Sequence, residues 1–315
     1  MKRVVAVVGA SGFVGSAVAS YLNANHEVRR LVAPRLPVPA TSLSDLRAAV
    51  DEAAVDAYAE RYLGGVNLIV NAAGLATATS TQLPALLGAN AVLPLFLAEA
   101  AQRAQVGSYV HISSAAVQGR GLLTESEEMR PENPYAVSKA LGEVLLRRHS
   151  PIATVRYRPT SVHGPTRAIT RSLVKVARSP LAAVAAPGDD PSPQMPVERL
   201  AQAVALVCAE AGSAPEVVLH PWEGATTETV MSVLGGKDPK RLPRTFARST
   251  VAGAYAAARM RRGLLGHARR LDMLLFGQEQ AAGWLATRLG PGPSAQAWLK
   301  SLADAMSASD QEELD

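Results

Sequence analysis

The chain of 315 residues contains one cysteine, Cys208. A lone thiol allows no intrachain disulfide framework and no thiolate metal site, and no bound metal is expected. Cys208 lies in the apolar run Ala203-Val-Ala-Leu-Val-Cys208-Ala, the setting of a packed core thiol, and this cysteine usage suits a reducing cytoplasm. Aromatic residues amount to only 4% and are not interleaved with the basic ones. That removes the stacking platforms on which nucleic acids are held. No uninterrupted apolar run reaches the roughly 18 residues that a membrane span needs. Met1-Lys-Arg-Val leads into a β-branched segment instead of a signal-peptide core. A soluble cytoplasmic protein without an integral membrane segment is the expectation. Internal repeats are absent, and the net charge is a modest +5.

What is present begins with glycine. The run Val4 to Val8 ends in Gly9-Ala-Ser11-Gly12-Phe13-Val14-Gly15, from which a helical pattern continues. Gly9 permits a tight turn out of a strand, Gly12 lets the backbone approach a pyrophosphate, and Gly15 packs the new helix closely on the sheet. An anion placed there meets unbonded N–H groups and the positive end of the helix. The reading is a dinucleotide-binding turn; the alternative is an ordinary glycine-rich turn.

A second constellation carries chemistry. Ser113-Ser114 end an apolar strand, and Tyr135-Ala-Val-Ser-Lys139 opens a helix. Residues four apart share a helix face, so Tyr135 and Lys139 project into the same space. A neighbouring ammonium lowers a phenol from its usual pKa of roughly 10, so Tyr135 can serve as acid or base at a carbonyl oxygen. With Asn71-Ala72-Ala73-Gly74 after a strand, Asn90 in a helix and Arg158-Pro159-Thr160-Ser161-Val162-His163-Gly-Pro165, these parts occur in the order that resembles the extended short-chain dehydrogenase/reductase family. The type is the NAD-dependent epimerase/dehydratase, most similar in pattern to sugar-nucleotide 4-ketoreductases and epimerases.

The resemblance implies that Ser114, Tyr135 and Lys139 are catalytic, with Ser114 donating to the reacting oxygen and Lys139 also reaching the nicotinamide ribose. It places the cofactor against Gly9, Ser11, Gly12, Phe13 and Val14 of the turn. Further cofactor contacts fall at Ala72, Ala73, Gly74, Asn90, Ser113, Tyr135, Lys139, Pro159, Thr160 and Val162. Substrate contacts are implied at Ala76, Ala115, Ser161, His163, Arg269 and Arg270, the arginines toward a diphosphate. Three positions depart from the family: Gln118 and His163 replace tyrosines, and Ser161 replaces an asparagine. Ala115 and Ala116 stand where dehydratases carry an Asp-Glu pair, which argues against water elimination.

Strand and helix patterns alternate through the first half, which reads as α/β, a doubly wound parallel sheet (Rossmann fold) with a smaller C-terminal substrate lobe. Single helices are expected over Leu43–Leu63 and Leu83–Ala104. Only Leu36–Ala40, with two prolines inside it, stands where a third strand is usual. The expected organisation is a dinucleotide-binding domain at 1–165, a mainly substrate-binding lobe at 166–306 interleaved with the sheet, and a disordered acidic tail at 307–315.

Cofactor choice turns on the end of the second strand, where NAD enzymes place a carboxylate. Val32 occupies that slot, and Arg29, Arg30 and Arg35 surround it. NADP, held by Arg30 and Arg35, is therefore favoured, with NAD as the alternative. Lys237 to Arg270 is strongly basic, including Arg262; it suits an anionic partner such as a nucleotide sugar, and a solvated helical face explains much of it. The leading reading is a reductase of the 4-keto group of a nucleotide-linked deoxysugar. The alternatives are a 4-epimerase with retained NAD, a reductase of a non-sugar ketone, and a non-catalytic dinucleotide sensor on the same fold. A homodimer is compatible with all of them.

Overall fold

A computed structural model describes residues 2–36, 38, 42–76, 83–261 and 264–312. The first elements are β1 (Val4–Val8), α1 (Phe13–Leu22), β2 (Glu27–Leu31), α2 (Leu43–Ala48), α3 (Glu52–Tyr62) and β3 (Leu68–Asn71). Then come α4 (Leu83–Leu87), α5 (Leu93–Arg103), β4 (Ser108–Ile112), α6 (Pro134–His149), β5 (Thr154–Arg158) and β6 (Ser161–His163). The second half contributes α7 (Ala168–Arg178), β7 (Ala183–Ala185), β8 (Gln194–Pro196), α8 (Val197–Ala209), β9 (Val217–Leu219) and α9 (Thr227–Gly235). It closes with β10 (Lys240–Leu242), α10 (Arg244–Met260), α11 (Leu265–Phe276) and α12 (Ala295–Glu312).

The main sheet is six-stranded and parallel in the order β2-β1-β3-β4-β5-β9. Its central strands bury both faces, as near-continuous Val/Ile/Leu runs require. One face carries α1 and α8, and the other α3, α5 and α6. The order reverses beside β1, and a crevice opens there at the carboxyl ends of the strands.

Three expectations change. The helix over Leu43–Leu63 is two helices, because Asp51 caps a new one by accepting from Ala54 N–H at 2.8 Å. The helix over Leu83–Ala104 contains a π-turn, Gly88–Val92, between α4 and α5. The acidic end, expected to be disordered from 307, stays helical to Glu312, since Leu299, Leu302 and Met306 bury one stripe of α12.

No strand lies between β2 and α2 among the described residues, and β2 is the sheet edge. Pro37, Pro39 and Ala40 of the suspected short strand lie outside the described residues. The Leu36 carbonyl instead fills the space a Cβ on Gly88 would take, 2.1 Å away. α2 and α3 cover α5: Arg47 pairs with Glu99 at 2.9 Å, and the Tyr58 and Phe96 rings meet edge to face. The apolar stretch Leu83–Arg103 is long enough to cross a membrane, yet it is packed here as a core helix.

Candidate active site

The turn after β1 has the geometry its glycines require. Gly9 adopts φ +81°, and a Cβ on it would meet the Ala73 backbone at 2.7 Å. At Gly15 a Cβ would lie 2.1 Å from the Gly9 carbonyl, so α1 can sit this close only without a side chain there. Gly12 differs. Its backbone is extended, and a Cβ would lie 3.3 Å from the Gly9 carbonyl. The fold thus constrains Gly12 less than Gly9 or Gly15, and α1 begins with no side-chain cap on its first N–H groups. Donors left open beside a position that keeps glycine for external reasons fit a pyrophosphate.

The loop after β3 is built around two buried asparagines. Asn71 accepts from Ala73 N–H at 3.0 Å and donates to the Tyr109 hydroxyl. Asn90, in the π-turn, accepts from Leu75 N–H and donates to the Leu75 carbonyl and the Ser138 hydroxyl, each at 3.0 Å. Asn90 therefore stays behind the cavity wall and ties the Gly74 loop to α6, one residue before Lys139. Gly74 has room for no Cβ, which would come within 2.7 Å of Asn90 Oδ1 and 3.1 Å of Lys139 Nζ. A π-turn at this point matches the tendency of such turns to occur at functional sites.

A cavity of about 640 Å³ follows, in the crevice over β3, β4 and β5. Its wall brings together Ser114, Tyr135 and Lys139 with Val14, Ala72, Ala73, Gly74 and Ala76. Ser113, Ala115, Pro159, Thr160, Ser161, Val162, Arg269 and Arg270 also line it. Gly9, Ser11, Gly12, Phe13, Asn90 and His163 are not part of that wall.

Ser114, two residues beyond β4, is in extended backbone and caps a short 3-10 turn, its Oγ accepting from Ala116 N–H at 3.2 Å. Asn133 caps α6 and Pro134 takes its first turn, which sets Tyr135 at the start of the helix. Burial pushes the Tyr135 phenol up, while a hydrogen bond with Ser114 and the Arg167 guanidinium act downward. Arg167, a cation the sequence reading did not single out, thus acts on the phenol. Lys139 Nζ donates to the Ile112 carbonyl at 3.0 Å, and burial brings it down to about 8 against the pull of Glu143.

Ser113 donates to Glu143, whose carboxylate is gripped by Arg158 through Nε and Nη2 with both side chains fully buried. Ser113 and Arg158 therefore stiffen the strand ends beneath the site. Removing one partner of such a pair leaves an uncompensated buried charge.

Two substrate expectations change. His163 is buried and turned from the cavity: its ring contacts Ser161 Oγ at 2.9 Å and Thr170 Oγ1 at 3.1 Å, and stacks on Trp298. Burial lowers it to about 4, a neutral packing residue. Arg269 faces the cavity but is engaged by Gln278, Asp272 and the Gly119 carbonyl, which leaves Arg270 as the exposed guanidinium of the pair. Part of the basic stretch is paired within the protein: Arg241 meets Glu228, Arg244 meets Asp190, and Lys237 donates to the Arg178 carbonyl. Arg262 lies outside the described residues.

At the edge strand, Arg30 makes one exposed bond to Ser20 Oγ at 3.2 Å, Arg35 is exposed, and Val32 is 82% exposed. Arg29 turns away to the Gly64 carbonyl.

The sequence reading missed Glu132, Arg167 and Gln278, all in the cavity wall. Arg167 stands just past Gly164-Pro165 and could have been noticed as the residue entering α7. Gln278 donates to the Gly119 and Gly121 carbonyls at 2.9 Å, a contact across 159 residues with no local signal.

No curated protein matches the chain by sequence. Among solved structures, UDP-glucuronic acid 4-epimerase from Bacillus cereus aligns with a TM-score of 0.65 at 16% identity, over 97% of this chain and 96% of that one. A dTDP-4-dehydrorhamnose reductase from Clostridium acetobutylicum aligns at 0.64 and 17% identity, covering 97% and 100%. An NAD dependent NDP-hexosamine 5,6-dehydratase aligns at 0.65 and 17%, covering 98% of each chain. These likenesses establish the fold. A family model spans residues 5–207, which takes in the glycine turn and the Ser114/Tyr135/Lys139 cluster: the chain belongs to the NAD dependent epimerase/dehydratase family.

Proposed function

We propose that the protein is an NADPH-dependent reductase of a keto group, the 4-keto group of a nucleotide-linked deoxysugar. The observation that carries this is the meeting of Ser114, Tyr135 and Lys139 in one cavity whose wall has Ala115 and Ala116 where elimination would need carboxylates. The cofactor, when bound, supplies hydride. Gly12 and the open first turn of α1 would hold its pyrophosphate, Arg30 and Arg35 its 2′-phosphate, and Lys139 the nicotinamide ribose.

Ser114 Oγ donates to the substrate carbonyl oxygen and fixes its position. Tyr135 gives its phenolic proton to that oxygen as the C–O π bond becomes an alkoxide, so a ketone, a hydride and a proton become an alcohol. The buried Lys139 places a positive charge beneath this exchange, and Arg270 is available to a substrate diphosphate. Thr160 and Ser161 offer further hydroxyl contacts from the β5 end.

The neighbours include both a UDP-glucuronic acid 4-epimerase and a dTDP-4-dehydrorhamnose reductase, and Ser114, Tyr135 and Lys139 would serve either activity here. Arginines at the edge strand favour the reductase. The test is NADPH oxidation on nucleotide-linked 4-keto sugars, with product structure by NMR. Stoichiometric NADPH loss with alcohol formation supports the reading; tightly retained NAD with interconversion of C4 epimers and no net oxidation assigns the epimerase instead.

A further inference from the structure

Arg167 is misplaced for stability. Every other arginine that is buried or half-buried among the described residues lies within ion-pair distance of a carboxylate: Arg29, Arg47, Arg156, Arg158, Arg199, Arg244 and Arg269. Among the described residues Arg167 makes no such ion pair. It is also the N-cap residue of α7, where the positive end of the helix dipole opposes a cation, and the first turn of α7 has no acidic residue. Desolvation lowers its pKa below the usual arginine range.

The side chain is nevertheless held in place. Nη1 donates to the Val162 carbonyl at 2.8 Å, and the guanidinium carbon lies 5.0 Å from the centre of the Phe13 ring. That ring is itself pressed on Gly164, where a Cβ would come within 2.7 Å of it. Arg167 and Tyr135 line the same cavity.

We propose that Arg167 is a positioning residue for proton transfer: its fixed, carboxylate-free guanidinium stabilises the phenolate form of Tyr135. This rests on Tyr135 being the acid of the proposed reaction. The charge that compensates Arg167 is then the one that appears on Tyr135 once its proton has left. Other groups facing Tyr135 do not supply this balance. Ser114, just beyond β4, is neutral; Lys139, on the same helix as Tyr135, is bonded to the Ile112 carbonyl. Glu132 before α6 is committed to Arg120 at 2.7 Å, and of the two α11 arginines in the wall Arg269 is paired and Arg270 exposed.

The test is residue-specific. Protein labelled with 3-fluorotyrosine is titrated by fluorine NMR, and the Tyr135 resonance is assigned by its loss in Tyr135→Phe. In Arg167→Met the Tyr135 midpoint should rise by about one unit or more, equivalent to about tenfold less phenolate at a given pH, and Arg167→Lys should restore most of the shift. Affinity for NADPH, measured by fluorescence titration, should change by less than about threefold in both variants, since the guanidinium is assigned to the phenol and not to the pyrophosphate. An unchanged midpoint in a folded Arg167→Met protein overturns the proposal, as does a tenfold loss of NADPH affinity with the midpoint unmoved. The titration reads the phenol directly, so full turnover in Tyr135→Phe would remove the catalytic reading and leave the electrostatic result standing.

Discussion

Burial leaves the Lys139 ammonium protonated only up to about pH 8 in the folded chain, against 10.5 for an exposed lysine. Between these values the unfolded chain binds the extra proton, so the fold gains stability as pH rises through the window in which the site loses its cation. Activity and stability should therefore move in opposite directions. We predict a descending limb in kcat/KM near pH 8 and its displacement to higher pH in Lys139→Arg. Lys139→Met should lower kcat/KM by about a hundredfold or more. An identical limb in the arginine variant would assign it to another group. At the edge strand, Arg30→Ala with Arg35→Ala should weaken NADPH by about ten- to a hundredfold and leave NADH within threefold, as loss of a charge-assisted phosphate contact implies. Paired titrations of both nucleotides decide, and equal losses for the two would make these arginines ordinary surface charges.

Elements show where local pattern suffices and where it does not. The glycine turn was legible because its requirement is local: a positive φ at Gly9 and no side chain at Gly15 follow from one strand turning into one helix. The two interior glycines should separate folding from binding. Gly12→Val should bind dinucleotide at least about tenfold more weakly with a smaller loss of melting temperature than Gly15→Val, because its backbone is extended and its new Cβ meets the Gly9 carbonyl at 3.3 Å and not at 2.1 Å. Gly15→Val should instead destabilise the fold by about 1–3 kcal/mol or prevent it from forming, because the new Cβ meets the Gly9 carbonyl. Calorimetric binding and thermal unfolding on both proteins check the contrast. The break between α2 and α3 and the π-turn at Asn90 were not legible, since apolar periodicity continues across both and only the Asp51 cap and the Asn90 contacts reveal them.

Across the whole molecule, His163 links the catalytic half to the last helix through Trp298 of α12. Its folded value of about 4 lies below the ordinary 6.5, so its neutral form favours the fold fully above 6.5. That contribution falls as pH drops toward 4, because the unfolded chain takes up the proton first. His111 and His220 are lowered in the same way, so a difference measurement is needed. His163→Gln should remove part of the stability loss between pH 6.5 and 4, amounting to about 3 kcal/mol for a shift of this size. Denaturant unfolding of both proteins at several pH values checks this, and parallel pH dependences would mean that His163 stays unprotonated across the window.

Sequence alone determined the parallel α/β sheet, the glycine turn and the common face of Tyr135 and Lys139, because each follows from spacing along a strand or around a helix; Ser114 was placed beside them by the family resemblance. The same reading could not settle what is assembled from distant segments. Tertiary structure turned His163 from the cavity into the Trp298 contact, bound Arg269 to Gln278 and Asp272, and set Arg167 against Phe13. It also separated the two cations near Tyr135, since Lys139 on α6 found the Ile112 carbonyl of β4 while Arg167 arrived from the turn before α7. Spacing can place two residues on a common face; which charge reaches the phenol depends on the partners that each cation meets once the chain has closed.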